Sequence, residues 1–127
     1  MLAIGSRPTR ITLVEDDVSL LGALTFALEA DGYAVAPYAA ARPLLEDPPE
    51  ADCLVVDLKL PDMDGLSLIN RLRALGPQPP AILITTNPDD RLRRAAAAAH
   101  VAIVEKPLMG GELRRRIAHA IGGEASD

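Results

Sequence analysis

Five short apolar runs, each followed by a stretch with helical spacing or a turn cluster, lie within 127 residues, and this alternation leaves the chain few folds to adopt. The runs are Ile11 to Val14, Tyr33 to Ala36, Cys53 to Val56, Ala81 to Thr85 and Val101 to Val104. Their length and their aliphatic, β-branched content mark them as strands. After the first, Leu20, Leu21, Leu24, Phe26 and Leu28 recur near helical spacing, and Gly32 stands where a helix end favours a positive φ. Leu66, Leu68, Ile69, Leu72 and Leu75 make a second helix, closed by Gly76 and Pro77. A third follows Pro88, with acids in its first turn and strong helix formers after them, and a fourth carries Leu113, Ile117 and Ile121 at fourfold spacing. Residues 39–50 allow only a short helix, because Pro43, Pro48 and Pro49 bracket it.

Strands that alternate with helices imply an α/β fold, a parallel sheet covered on both faces. The second, third and fifth runs are uninterrupted, so these strands are expected to be buried on both sides. One domain of five strands and five helices is expected over residues 10–121, with 1–9 and 122–127 loose. Aromatics are only 2% and the net charge is −5, which disfavours nucleic acid as a partner. Cys53 is the only cysteine, so no internal disulfide forms, and no signal peptide or membrane span is visible. A cytoplasmic location is the expectation.

Ligands of open parallel sheets collect outside the carboxyl ends of the strands. The first strand ends in Glu15, Asp16 and Asp17, the third in Asp57, the fourth in Thr85 and Thr86, and the fifth runs into Lys106 and Pro107. Carboxylates so gathered repel by roughly 4 kcal/mol per pair at about 4 Å and an effective dielectric near 20, so a cation belongs among them. Hard carboxylate oxygens suit Mg²⁺, which also accepts phosphate oxygens. Asp57 is then placed to act as a nucleophile toward phosphorus, with Lys106 offsetting charge on the phosphoryl oxygens and Thr85 offering a hydroxyl. The plainer readings are a helix cap for Asp16 or Asp17, turn and helix-start roles for Asp62, Asp64 and Gly65, a core position for Cys53, and surface positions for His100 and His119.

The segments ITLVEDD, CLVVDLKLPDMDGL, ILITT and VEKPL resemble the receiver domain of bacterial two-component response regulators, over roughly residues 10 to 121. The resemblance implies a flavodoxin-like, doubly wound (βα)5 fold with strand order 2-1-3-4-5. It implies that Asp57 is the phosphoacceptor, that Asp17 and Asp57 bind Mg²⁺ directly, that Asp16 acts through a metal-bound water, and that the Lys59 carbonyl completes the site. Thr85 becomes the switch hydroxyl and Lys106 the phosphate-binding lysine, with a cis bond before Pro107. A protein of this kind is a phosphorelay switch rather than an enzyme acting on other substrates: it catalyses only its own phosphoryl transfer and slow autodephosphorylation. Its implied partners are a sensor histidine kinase or phosphotransfer protein, and an output protein, domain or second copy of the chain on the face formed by the fourth helix, fifth strand and fifth helix. Two positions depart from the family pattern. Ile103 stands where an inward-turning aromatic is usual, and Thr86 where Ala or Gly is usual, so that Thr86 narrows access to the site.

Three other functions fit less well. An aspartate-nucleophile phosphohydrolase carries a second Asp two residues after the nucleophile, where this chain has Lys59. A nucleotide or flavin module needs a glycine-rich loop where this chain has acids, from Glu15 to Asp17. A receiver-like scaffold that works without phosphorylation is favoured by Ile103 and Thr86 but leaves the acids, lysine and threonine unexplained.

Overall fold

The computed structural model describes residues 7–76, 79–108 and 111–122. Ten elements alternate along the chain: β1 (Arg10–Val14), α1 (Val18–Ala30), β2 (Ala34–Tyr38), α2 (Ala41–Glu46), β3 (Cys53–Asp57), α3 (Gly65–Leu75), β4 (Ala81–Thr85), α4 (Asp90–Ala98), β5 (Val101–Glu105) and α5 (Glu112–Ala120). All strand pairs are parallel, in the order β2-β1-β3-β4-β5, the expected doubly wound arrangement. Reversal of strand order between β1 and β3 opens the crevice in which such sheets bind ligands.

Successive strand residues point to opposite faces, so each strand feeds two cores. Val14, Leu54, Val56 and Leu83 pack with Leu44 of α2, Leu68, Ile69 and Leu72 of α3, and Ala96 of α4. Ile11, Leu13, Val55, Ile82 and Val104 pack on the other side with Leu28 of α1 and Leu113 and Ile117 of α5. Cys53 belongs to this second core, and burial pushes its thiol up to about 12, far from a reactive thiolate at neutral pH.

The sheet order corrects one expectation about burial. β3 and β4 are buried throughout, but β2 and β5 are edge strands and are only partly covered. Pro37 in β2 suits an edge, where a missing N–H breaks no ladder bond. β2 also starts and ends later than its apolar run suggested, because pairing with β1 continues to Tyr38. In α1 only Leu28 is buried, and Phe26, which shares the helical spacing of the α1 leucines, is 77% exposed.

Residues 7–9, expected to be loose, are tied to the sheet. The Thr9 carbonyl accepts from Ala34 N–H, and the Arg7 guanidinium grips Asp52. The expected loose residues 1–6 and 123–127 lie outside the described residues. Among the described residues no helix is long and apolar enough to cross a membrane.

α2 is short, as its prolines require, and it draws its N-terminal cap from a distant loop. Asp62 Oδ1 and Oδ2 accept from Ala41 N–H at 3.0 Å and Arg42 N–H at 2.8 Å. These bonds hold the Asp62 carboxyl below the usual carboxylate range. The loop after β3 is thereby pinned to α2 at its far side.

Candidate functional site

The strand ends deliver the acids and the lysine to one place. β3 runs buried up to Asp57, which is 5% exposed, and Leu58 N–H still donates to the Ile84 carbonyl of β4 before the loop begins. Gly65 N–H closes the loop by donating to the Leu58 carbonyl at 2.7 Å, and Lys59 pairs with Asp64 across it. Asp64 caps α3, its Oδ1 accepting from Ser67 N–H at 2.9 Å and its Oδ2 from the Ser67 hydroxyl. Asp64 and Gly65 are therefore helix-start residues, as read from the sequence.

Lys106 follows β5 and reaches back across the sheet edge. Its Nζ donates to Asp57 Oδ2 at 3.3 Å and forms an ion pair with Glu15 Oε1 at 3.0 Å. The second approach is off the line of a hydrogen bond, so Glu15 Oε1 is neutralised by charge without an aligned donor. The Lys106–Pro107 peptide is cis, and Lys106 N–H donates to the Thr85 carbonyl, fixing the lysine against the end of β4. Thr85 is 3% exposed, and its hydroxyl lies 3.4 Å from the Thr86 carbonyl, while Thr86 itself is exposed at the rim.

The acid grouping differs from the expected one by one residue. Glu15, Asp16 and Asp57 each offer an oxygen, and these oxygens lie within 4.8 Å of one another. Asp17, expected as a direct ligand, is the N-cap of α1, and its Oδ1 accepts from Leu20 N–H at 3.1 Å. The physical reason is local: α1 begins at Val18, and the residue just before a helix turns its carboxylate onto the helix's own unpaired N–H groups. Glu15, at the end of the first apolar run, is completely buried and accepts from Asp17 N–H through Oε2. The start of α1 was the sequence signal that could have shifted the register.

Burial raises the Glu15 carboxyl above its ordinary range, and the neighbouring Asp57 adds to this, against the Asp17 N–H and Lys106. Burial alone would depress the Lys106 ammonium, but Glu15 and Asp57 together outweigh it and raise it. Three carboxylates thus face one lysine, which touches two of them. The uncompensated charge, the all-oxygen donor set and the exposure of Asp16 fit a hard divalent cation such as Mg²⁺.

Residues 11–118 match the response regulator receiver domain family. Nodulation protein W of Bradyrhizobium diazoefficiens is 33% identical over 106 residues, covering 81% of this chain and 47% of that protein. Response regulator protein TodT of Pseudomonas putida is 30% identical over 121 residues, covering 93% of this chain and 53% of that protein. The chain therefore spans about half the length of these curated relatives. A CheY-like response regulator receiver domain protein from Methanospirillum hungatei superimposes with a TM-score of 0.83 at 26% identity, over 94% of this chain and 98% of the other. With its strand order, its acid cluster beside Lys106 and its family match in agreement, the chain belongs to the response regulator receiver domain family.

Proposed function

We propose that the chain is a phosphoacceptor switch of a cytoplasmic two-component phosphorelay, in which Asp57 takes a phosphoryl group from a sensor histidine kinase or a phosphotransfer protein. The observation that carries this reading is the Lys106 ammonium lying against the buried Asp57 carboxylate, with Asp16 open to solvent beside it. Asp57 Oδ attacks the donor phosphorus, the new O–P bond forms as the donor's bond to phosphorus breaks, and the leaving group departs with the electron pair. Lys106 stays within reach of the phosphoryl oxygens, and the Thr85 hydroxyl, bound only weakly to the Thr86 carbonyl, is free to turn toward one of them. Asp16, Asp57 and the Lys59 carbonyl would hold Mg²⁺, which would supply neutralising charge for the incoming group. Glu15 sets the lysine.

A phosphoryl group brings a charge of about −1.5 to −2 and strong acceptor oxygens, enough to bias a two-state element nearby. The element next to Thr85 is the loop into α4, so the output face is α4, β5 and α5, read by an output protein, a covalently attached domain or a second copy. Ile103 packs half-buried against the α4 side of the sheet with Leu92 and Ala96, so an aliphatic side chain occupies the position from which an aromatic would turn. The signal in this chain passes chiefly through the β4–α4 loop. Incubation with Mg²⁺ and a small acyl phosphate tests the reading: the intact mass should rise by one phosphoryl group, and chelation of the metal should prevent it. A chain that stays unmodified under these conditions is a scaffold instead.

A further inference from the structure

Arg73 sits in the last turn of α3, yet its guanidinium serves three carbonyls outside that helix. Nη1 donates to the Ala99 carbonyl, and Nη2 lies 3.4 Å from the Pro79 carbonyl and 3.5 Å from that of His100. Ala99 and His100 form the turn from α4 into β5, and Pro79 leads into β4. Among the described residues, Arg73 Nε is buried without a partner. An unmet buried donor is costly, so the Nη contacts are what draw this group inward.

The two ends of α4 are held very differently. At the rear, Ala99 N–H bonds to Ala95 and Ala96, His100 adopts a left-handed φ of 57°, and the guanidinium caps the carbonyls at the negative end of the helix dipole. At the front, only residues 86–88 separate Thr85 from the N-cap Asp89, and Asn87 holds a positive φ of 49° that favours glycine. In between, Ala96 is the one buried residue of α4, and the Arg93–Glu105 pair is half exposed and screened. A methyl group offers a smooth contact with little resistance to tilting.

Resting on the switch assigned to Asp57, we propose that Arg73 is the pivot of that switch: it fixes the rear of α4 to α3 and the β4 lead-in, so that displacement of the Thr85 loop tilts the front of the helix instead of shifting the whole. Arg73 is a positioning residue and touches none of the reacting groups. A lysine could not replace it, since a single ammonium lacks the planar fork that spans separate carbonyls.

The test is amide exchange of the full chain, read residue by residue by NMR, before and after phosphorylation with Mg²⁺ and acetyl phosphate, in wild type, Arg73→Met and Arg73→Lys. Intact mass reports separately whether Asp57 is modified. In wild type, the change on phosphorylation should fall on residues 86–94 and leave 97–100 as protected as before. In Arg73→Met the change should extend through 97–100, where exchange should also rise about tenfold before phosphorylation, while the mass gain persists; Arg73→Lys should resemble Arg73→Met. A change that reaches 97–100 in wild type, or one that stays within 86–94 in both variants, overturns the pivot. If wild type gains no mass, the switch reading fails, and a rise confined to 97–100 in the unphosphorylated variants still establishes the clamp. If Arg73→Met does not fold, Arg73→Lys carries the comparison alone.

Discussion

Gly65 lies so close to Asp57 that a methyl group on its Cα would stand 2.2 Å from the Asp57 carbonyl oxygen and 2.9 Å from Val56 Cγ1. The start of α3 is thus pressed onto the backbone that carries the phosphoacceptor candidate. The glycine is required by space and not by backbone conformation, because the neighbouring atom is a main-chain oxygen that cannot swing aside.

Gly65→Ala should therefore cost stability at the upper end of overpacking penalties, about 3 kcal/mol, and should displace Asp57 from Lys106. Urea denaturation checks the first effect, and the rate of modification by a small acyl phosphate checks the second. Wild-type values for both would mean that the loop has slack not visible in the contact.

Asp16 and Asp17 should separate cleanly. Asp17→Ala removes the α1 cap and should lower stability by about 1 kcal/mol while leaving Mg²⁺ affinity unchanged. Asp16→Ala should weaken Mg²⁺ binding at least tenfold, because a carboxylate in the ligand set is lost. Isothermal titration of both variants decides the order, and the opposite result would return the ligand role to Asp17.

Asp62 links stability to pH. Its folded pKa is depressed by the Ala41 and Arg42 N–H groups, so its contribution is complete above the unfolded carboxylate value and disappears as pH falls through the folded one. Wild type should lose stability between about pH 5 and pH 2 partly through this group, and Asp62→Ala should show a shallower loss over the same window. Denaturant midpoints at pH 7, 4 and 3 measure the slope, and parallel curves would show that the tie between the loop and α2 is inert.

Lys106→Met should leave Mg²⁺ binding within about threefold of wild type, since Lys106 is no ligand, yet should remove the exchange response of residues 86–94 to phosphorylation. An intact response in the variant would place the coupling elsewhere.

Much of this arrangement was legible before any coordinates. β3 is an unbroken apolar run, and a run buried on both faces has no polar side to confuse its reading, whereas the equally buried β4 was expected as a strand without that burial. β2 looks similar in sequence, but apolar content alone does not separate a central strand from an edge; Pro37 is the residue that marks the edge. Asp57, Thr85 and Lys106 each stand at or just past the end of a clear strand, so their placement on one edge of the sheet is legible from the sequence. The acids after β1 were harder: Glu15, Asp16 and Asp17 are chemically interchangeable in sequence, and one residue of register decides which is buried, which is open and which caps a helix. Arg73 had no signal at all, because its partners are main-chain carbonyls up to 27 positions away that carry no side-chain signature.

The most direct measurement is the mass and location of a phosphoryl group after incubation with Mg²⁺ and acetyl phosphate. A gain of one group per chain is expected, mapped to the peptide containing Asp57 and absent from Asp57→Asn. Modification that persists in Asp57→Asn, or maps to another residue, contradicts it.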